Sequence, residues 1–111
     1  MSVAGATLAR MAVYVIAQIT ITDRARYERY QARFMRVLQK YEGRLLAADE
    51  RPLVAEGAWD REKVVLFSFR DEAAFRRFAE SPEYREIAVD RKAGSTGVVL
   101  LVQGIQGYTA A

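Results

Sequence analysis

The sequence predicts an α+β fold of two layers, an antiparallel sheet with helices packed on one side. Three observations predict it. Short runs of apolar residues repeat every second position, as in half-buried strands. Two longer stretches carry apolar residues at helical spacing. These segments follow one another in the order β-α-β-β-α-β. At 111 residues, 51% of them hydrophobic, the chain has the size and apolar content of one domain with a real core.

Residues Val13–Ile21 alternate, with Val13, Val15, Ala17, Ile19 and Ile21 on one face and Tyr14, Ile16, Gln18 and Thr20 on the other. Thr22 and Asp23 supply a helix N-cap. The stripe Tyr27, Tyr30, Phe34, Val37, Leu38 and Tyr41 marks the first helix, which Gly43 ends. Residues 44–49 read as a second strand, Pro52 as a turn or edge, and residues 53–56 as its extension past an irregularity. After a turn at 57–61, residues 63–69 form a third strand. Asp71 caps a helix bearing Ala74, Phe75, Phe78 and Ala79, and Ser81-Pro82 restarts helix with serine at the N-cap and proline at N1. Tyr84, Ile87, Ala88 and Arg91 carry it to Gly94, and Gly97 opens a last strand over 98–102. The four strands and their helices close as a ferredoxin-like domain over residues 11–105. Residues 1–10 are expected to form a poorly ordered arm, with Met11 an alternative start to Met1, and 106–111 a short tail.

A second copy is expected to cover the sheet. Helices on one side leave the other face bare, yet residues 64–67 (VVLF) and 98–102 (VVLLV) are apolar on both faces. Each buried Leu or Phe contributes roughly 1.5–3 kcal/mol, so a bare row of them is costly and adhesive. No further helix remains in the chain, which predicts a homodimer whose two sheets close into an α/β barrel.

Composition excludes several chemistries. The chain has no histidine and no cysteine. A Ser-His-Asp site, a thiol nucleophile, a structural zinc site and a histidine-held haem are therefore ruled out within one chain, and neither metal nor cofactor is expected. The net charge of +3 is too small to demand nucleic acid. No stretch is long and apolar enough to span a membrane, and the apolar run 11–17 lacks a cleavage site, so a cytoplasmic location is expected.

Several stretches resemble the bacterial domain-of-unknown-function family numbered 1330, within the dimeric α/β-barrel superfamily. They are residues 14–23 (YVIAQITITD), Tyr27 and Tyr30, 41–46 (YEGRLL), 56–61 (EGAWDR), the strand 64–69, and 81–84 (SPEY) followed by Arg91. Their order and spacing span residues 11 to about 104. Where the family often has two glycines this chain has Glu42-Gly43, and where it often has tryptophan before SPEY this chain has Phe78. The resemblance implies a barrel of two four-stranded sheets with helices outside. It implies no reaction, since the family has no established catalytic residues. Neighbouring families include cofactor-free monooxygenases, haem-degrading enzymes that use histidine, lactone isomerases and decarboxylases, and a shared fold is only an analogy for function.

The candidate ligand-binding residues are Tyr14, Tyr30, Arg44, Glu56 and Trp59. Trp59 follows a glycine turn and offers an aromatic wall beside Glu56; the competing reading is a tryptophan that only packs. Arg44 starts a strand just after a helix and can hold a carboxylate, or pair with Glu56. Tyr14 and Tyr30 can orient a substrate or simply fill the core. Arg26, Arg29, Arg33, Arg36 and Lys40 form a basic stripe, read as a solvated face paired with Glu72, Glu80, Glu83 and Glu86. The functional expectation is a dimer that binds a small, partly apolar and in one reading anionic metabolite, with a cofactor-free enzyme as one form of it. The alternative is a non-catalytic structural or interaction domain with a filled barrel. Arg44 and Trp59 are expected to border one cavity only if the chain bends at Pro52 or the partner subunit joins them.

Overall fold

The structure, a computed structural model, describes residues 11–105. The expectations for the arm 1–10 and the tail 106–111 lie outside the described residues. The elements are β1 (Val13–Ile21), α1 (Arg24–Lys40), β2 (Arg44–Asp49), β3 (Lys63–Phe69), α2 (Glu72–Ala79), α3 (Pro82–Gly94) and β4 (Ser95–Gln103). The strands form one antiparallel sheet in the order β2-β3-β1-β4. This is the expected ferredoxin-like α+β arrangement, with the second helical stretch split in two at Glu80-Ser81.

The caps stand where the sequence places them. Asp23, Asp71 and Ser81 accept from the backbone N–H groups of Arg26, Ala74 and Tyr84, and Pro82 occupies the first turn of α3. Beyond α1, Glu42 takes the left-handed conformation (φ 66°), a place where glycine is the unstrained choice. Its carboxylate meets Arg70.

Two boundaries differ from expectation. β4 begins at Ser95, because Ser95 and Thr96 still pair with Ile21 and Thr20 of β1. Residues 53–56 are loop, and the irregularity falls inside β2, where the register shifts between Leu45 and Ala47.

Strand register sorts the side chains into two faces. Val13, Val15 and Ile19 of β1 face the helices together with Phe67 and Phe69 of β3. Against them pack Tyr27, Tyr30, Phe34, Val37 and Leu38 of α1, Ala74 and Phe78 of α2, and Ile87 of α3. Phe78 is the hub, with ring centroids 5.2 Å from Phe69, 6.0 Å from Phe67 and 4.4 Å from Tyr84. The opposite face carries Tyr14, Ile16, Gln18, Val64, Leu66, Val98, Leu100 and Val102 with no helix over it. Val98, Leu100 and Val102 remain 39–45% exposed.

Four of the five cations in the basic stripe of α1 are paired, though not chiefly with the glutamates expected, and Arg36 makes no ion pair among the described residues. Arg26, Arg29 and Arg33 converge on Asp90 of α3 at 2.7, 3.4 and 3.2 Å, and Lys40 meets Glu83. Asp90 is a single acid reached by three arginines spread over two turns of α1, a pairing across two helices that spacing within one helix does not show. At the same end of α3, the Gly94 carbonyl accepts from the N–H groups of Thr22 and Asp23, and a Cβ on Gly94 would lie 2.7 Å from the Tyr27 nitrogen. α3 is thus tied to the start and the flank of α1.

The hydrogen bond from Arg26, then that from Arg29, holds the Asp90 carboxyl below its ordinary value. A lowered folded-state pKa means that the carboxylate adds stability above the unfolded value and loses it as pH falls through the folded one. Asp90→Asn is therefore expected to lower the melting temperature at pH 7. In calorimetry across pH, its gap from the parent protein should begin to close below the ordinary value of 3.8 and vanish once the folded carboxylate protonates.

Candidate functional site

A half-enclosed cavity of about 290 Å³ lies between α1 and the helix-side face of the sheet. It exists because the sheet presents small side chains, Ala17 and Ala48, under a helix that carries large ones. Val65, Phe67, Phe34 and Leu45 give it apolar walls. Its polar groups are Tyr27, Tyr30, Gln31, Lys63 and Arg91.

Lys63 is the most unusual of these. It opposes Ile19 across the β1–β3 ladder, which puts a lysine on the face reserved for the core, where it is 5% exposed. Its Nζ donates to Gln31 Oε1 at 3.0 Å, lies 3.8 Å from Glu50, and stands 4.8 Å from the centre of the Tyr27 ring. Burial pushes the Lys63 ammonium below its ordinary value, against the opposing pull of Glu50.

The tyrosines are kept protonated. Burial pushes Tyr27 up to about 12 and, helped by the facing Tyr84, raises Tyr30 well above its ordinary value. Arg91 Nε donates to the Tyr84 oxygen at 3.2 Å, and the Tyr84 and Tyr30 hydroxyls are 3.1 Å apart. Among the described residues no buried side-chain polar atom is unpaired. The cavity wall thus carries phenol hydroxyls and an ammonium, groups able to donate to an acidic oxygen.

The sequence-predicted residues are scattered. Of the five, Tyr30 alone lines this cavity. Tyr14 lies on the helix-free face, opposite Ser68 and Val102. Arg44 also opposes Ser68 and is exposed, with no ion pair among the described residues. Glu56 is exposed in the loop after β2, so the proposed Arg44–Glu56 bridge is not formed. Trp59 donates from Nε1 to Gln18 Oε1 at 3.1 Å. Gln18 opposes Val64, whereas Arg44 opposes Ser68, four residues along β3 and roughly 13 Å away at the usual rise of a strand. Within one chain, then, Arg44 and Trp59 stand at opposite ends of the sheet and share no cavity.

Lys63 and Arg91 are the residues that sequence reasoning missed. The two-residue alternation of β3 already sets Lys63 in phase with Val65, Phe67 and Phe69. Arg91 falls seven positions after Tyr84 on one helical face. Among the described residues no cluster of three His, Cys, Asp or Glu side chains could hold a metal, and no helix is long and apolar enough to cross a membrane.

The profile of DUF1330, described as a domain of unknown function, matches residues 12–105. The chain belongs to the DUF1330 family. Solved structures agree on the fold. RPA0582, a protein of unknown function from Rhodopseudomonas palustris, superposes with a TM-score of 0.74 at 14% identity, covering 97% of this chain and 93% of that one. SnoaB, a cofactor-independent oxygenase from Streptomyces nogalater, gives 0.63 at 24% identity, over 86% and 95%. A dimeric ferredoxin-like protein of unknown function from Thermobifida fusca gives 0.54 at 17% identity, over 84% and 91%. No curated protein matches this sequence.

Lys63 should cost this DUF1330 domain stability. An ammonium whose folded-state pKa lies below the ordinary 10.5 subtracts stability wherever it is protonated, and the penalty disappears as pH rises above 10.5. Lys63→Met is expected to melt at or above the parent temperature at pH 7, with any gain shrinking toward pH 11. A clear loss of stability at pH 7 in the same calorimetric series would make Lys63 a structural residue.

Proposed function

We propose that this DUF1330 protein is a homodimer that binds a small, partly apolar phenol or organic acid in the cavity between α1 and the sheet. The cavity itself carries the reading. Its volume stands at the small end of ligand sites, about 300–1,000 Å³, which suits one or two rings. Apolar walls accept the ring, while Lys63, Gln31, Tyr27 and Tyr30 supply the polar groups of the lining that an acidic oxygen would meet. A fold shared with a cofactor-independent oxygenase is compatible with chemistry on the bound molecule, by analogy alone.

The test is a thermal-shift screen of phenols and aromatic carboxylates against their neutral isosteres. A ligand present at a hundred times its Kd adds about 2.7 kcal/mol, a rise of roughly 10 °C for a domain of this size. Ala17→Leu, which fills the cavity from β1, should abolish the shift in a folded protein. Uniformly flat responses to the acids and phenols would sink the reading.

The dimer rests on the helix-free face. Leu66, Ile16 and Leu100 stand side by side across β3, β1 and β4, an apolar row extended by Val98 and Val102. A second copy of the same face covers it by two-fold symmetry, and the Thermobifida fusca relative supports that assembly. Light scattering at micromolar concentration should give twice the chain mass of 12.6 kDa, and Leu100→Glu should halve the measured mass. A monomeric parent protein refutes this part.

A further inference from the structure

Lys63 lines two spaces. It is the residue shared by the linings of the apolar cavity and of a polar groove at the end of the sheet, beside the loop between β2 and β3. Four cationic side chains, Arg24, Arg51, Arg61 and Lys63, face that groove against the carboxylates of Glu50 and Glu62. Both carboxylates are engaged. Glu50 is gripped through both oxygens by Arg24, at 3.2 and 3.1 Å, and lies 3.8 Å from Lys63; Glu62 accepts from the Ile21 backbone N–H at 2.8 Å. Arg51 and Arg61 make no ion pair among the described residues. Trp59, the chain's single tryptophan, lines the same groove and not the cavity.

We propose that the groove holds a carboxylate extension of the ligand whose ring occupies the cavity, with Arg51 and Arg61 as its receptors and Lys63 at the junction. The inference rests on the cavity reading and adds the class of ligand, an aryl-alkyl acid rather than a simple ring. Arginine suits this role because its planar fork of donors matches a carboxylate and it stays charged at every working pH. The surplus of positive charge draws an anion to the end of the sheet. Trp59 and Pro52, which line the groove, give the connecting methylenes an apolar wall.

The experiment compares 5-phenylpentanoate with 5-phenylpentanol, which share a ring and chain and differ in the terminal charge. Affinity is read by calorimetry and groove occupancy by Trp59 emission excited at 295 nm, where the phenyl group does not absorb. The acid is expected to bind about tenfold or more tightly, since charge-assisted hydrogen bonds are the stronger kind. It should also change Trp59 emission, and the double variant Arg51→Gln/Arg61→Gln should bring it down to the alcohol's affinity. Equal binding of the two probes, with Trp59 emission unmoved, overturns the groove proposal while the cavity reading stands. Binding of neither probe overturns the groove proposal, and the cavity reading falls with it only if the phenols and aromatic carboxylates of the thermal-shift screen are flat as well.

Discussion

The rest of the structure depends on how α1 sits on the sheet. Its aromatic stripe lies over β1 and β3, so that Phe34 meets Phe67 edge-on with ring centroids 5.3 Å apart. Large side chains on the helix stand off a sheet that offers alanine at positions 17 and 48. Interiors pack to crystal-like density wherever shapes allow, and here the mismatch of sizes leaves space at one end of the helix. Toward α2 and α3, Phe78 and its ring neighbours form the densest aromatic contact of the core and border a second, more open space of about 380 Å³. One layer interface thus supplies both the stability of the domain and its cavity.

That helix is held by charge as well as by apolar contact. Three arginines one turn apart meet a single aspartate on α3, and the Gly94 carbonyl meets the first residues leading into α1. Exposed ion pairs contribute little individually. Their convergence on one carboxylate does fix the rotation of α1 relative to α3. This rotation decides which residues look into the cavity, and it brings Tyr30 within hydrogen-bond distance of Tyr84 and Tyr84 within reach of Arg91. The surface network and the interior polar chain are two sides of the same helix pair.

Lys63 is where the helix-side face of the sheet departs from an all-apolar core. A leucine or methionine there would extend the apolar face of β3. Instead the chain keeps an ammonium among aromatic and amide groups, partly compensated by Gln31, Glu50 and the Tyr27 ring. Burying a charge with incomplete compensation costs stability, and such costs concentrate at sites that bind or react.

The sequence by itself determined the strands, the helices, their caps and the class of fold, because each follows from local rules. Alternation every two residues makes strands; a stripe every three to four makes a helix; Asp23, Asp71 and Ser81 bond their own neighbouring backbone. It also showed that β3 and β4 are apolar on both faces, a property of composition. The candidate site was legible at Tyr30 alone. Trp59 and Arg44 drew attention as residue types, but their distance apart depends on strand register, which pairs Arg44 with one end of β3 and sets Trp59 near the other. Only the tertiary structure decided that Lys63, Arg91, Tyr27 and Tyr30 meet. They come from β3, α3 and α1, and nothing in their spacing along the chain records the angle at which those elements pack. That angle follows from the fit of many side chains at once, so the cavity belongs to the assembled layers and to no segment alone.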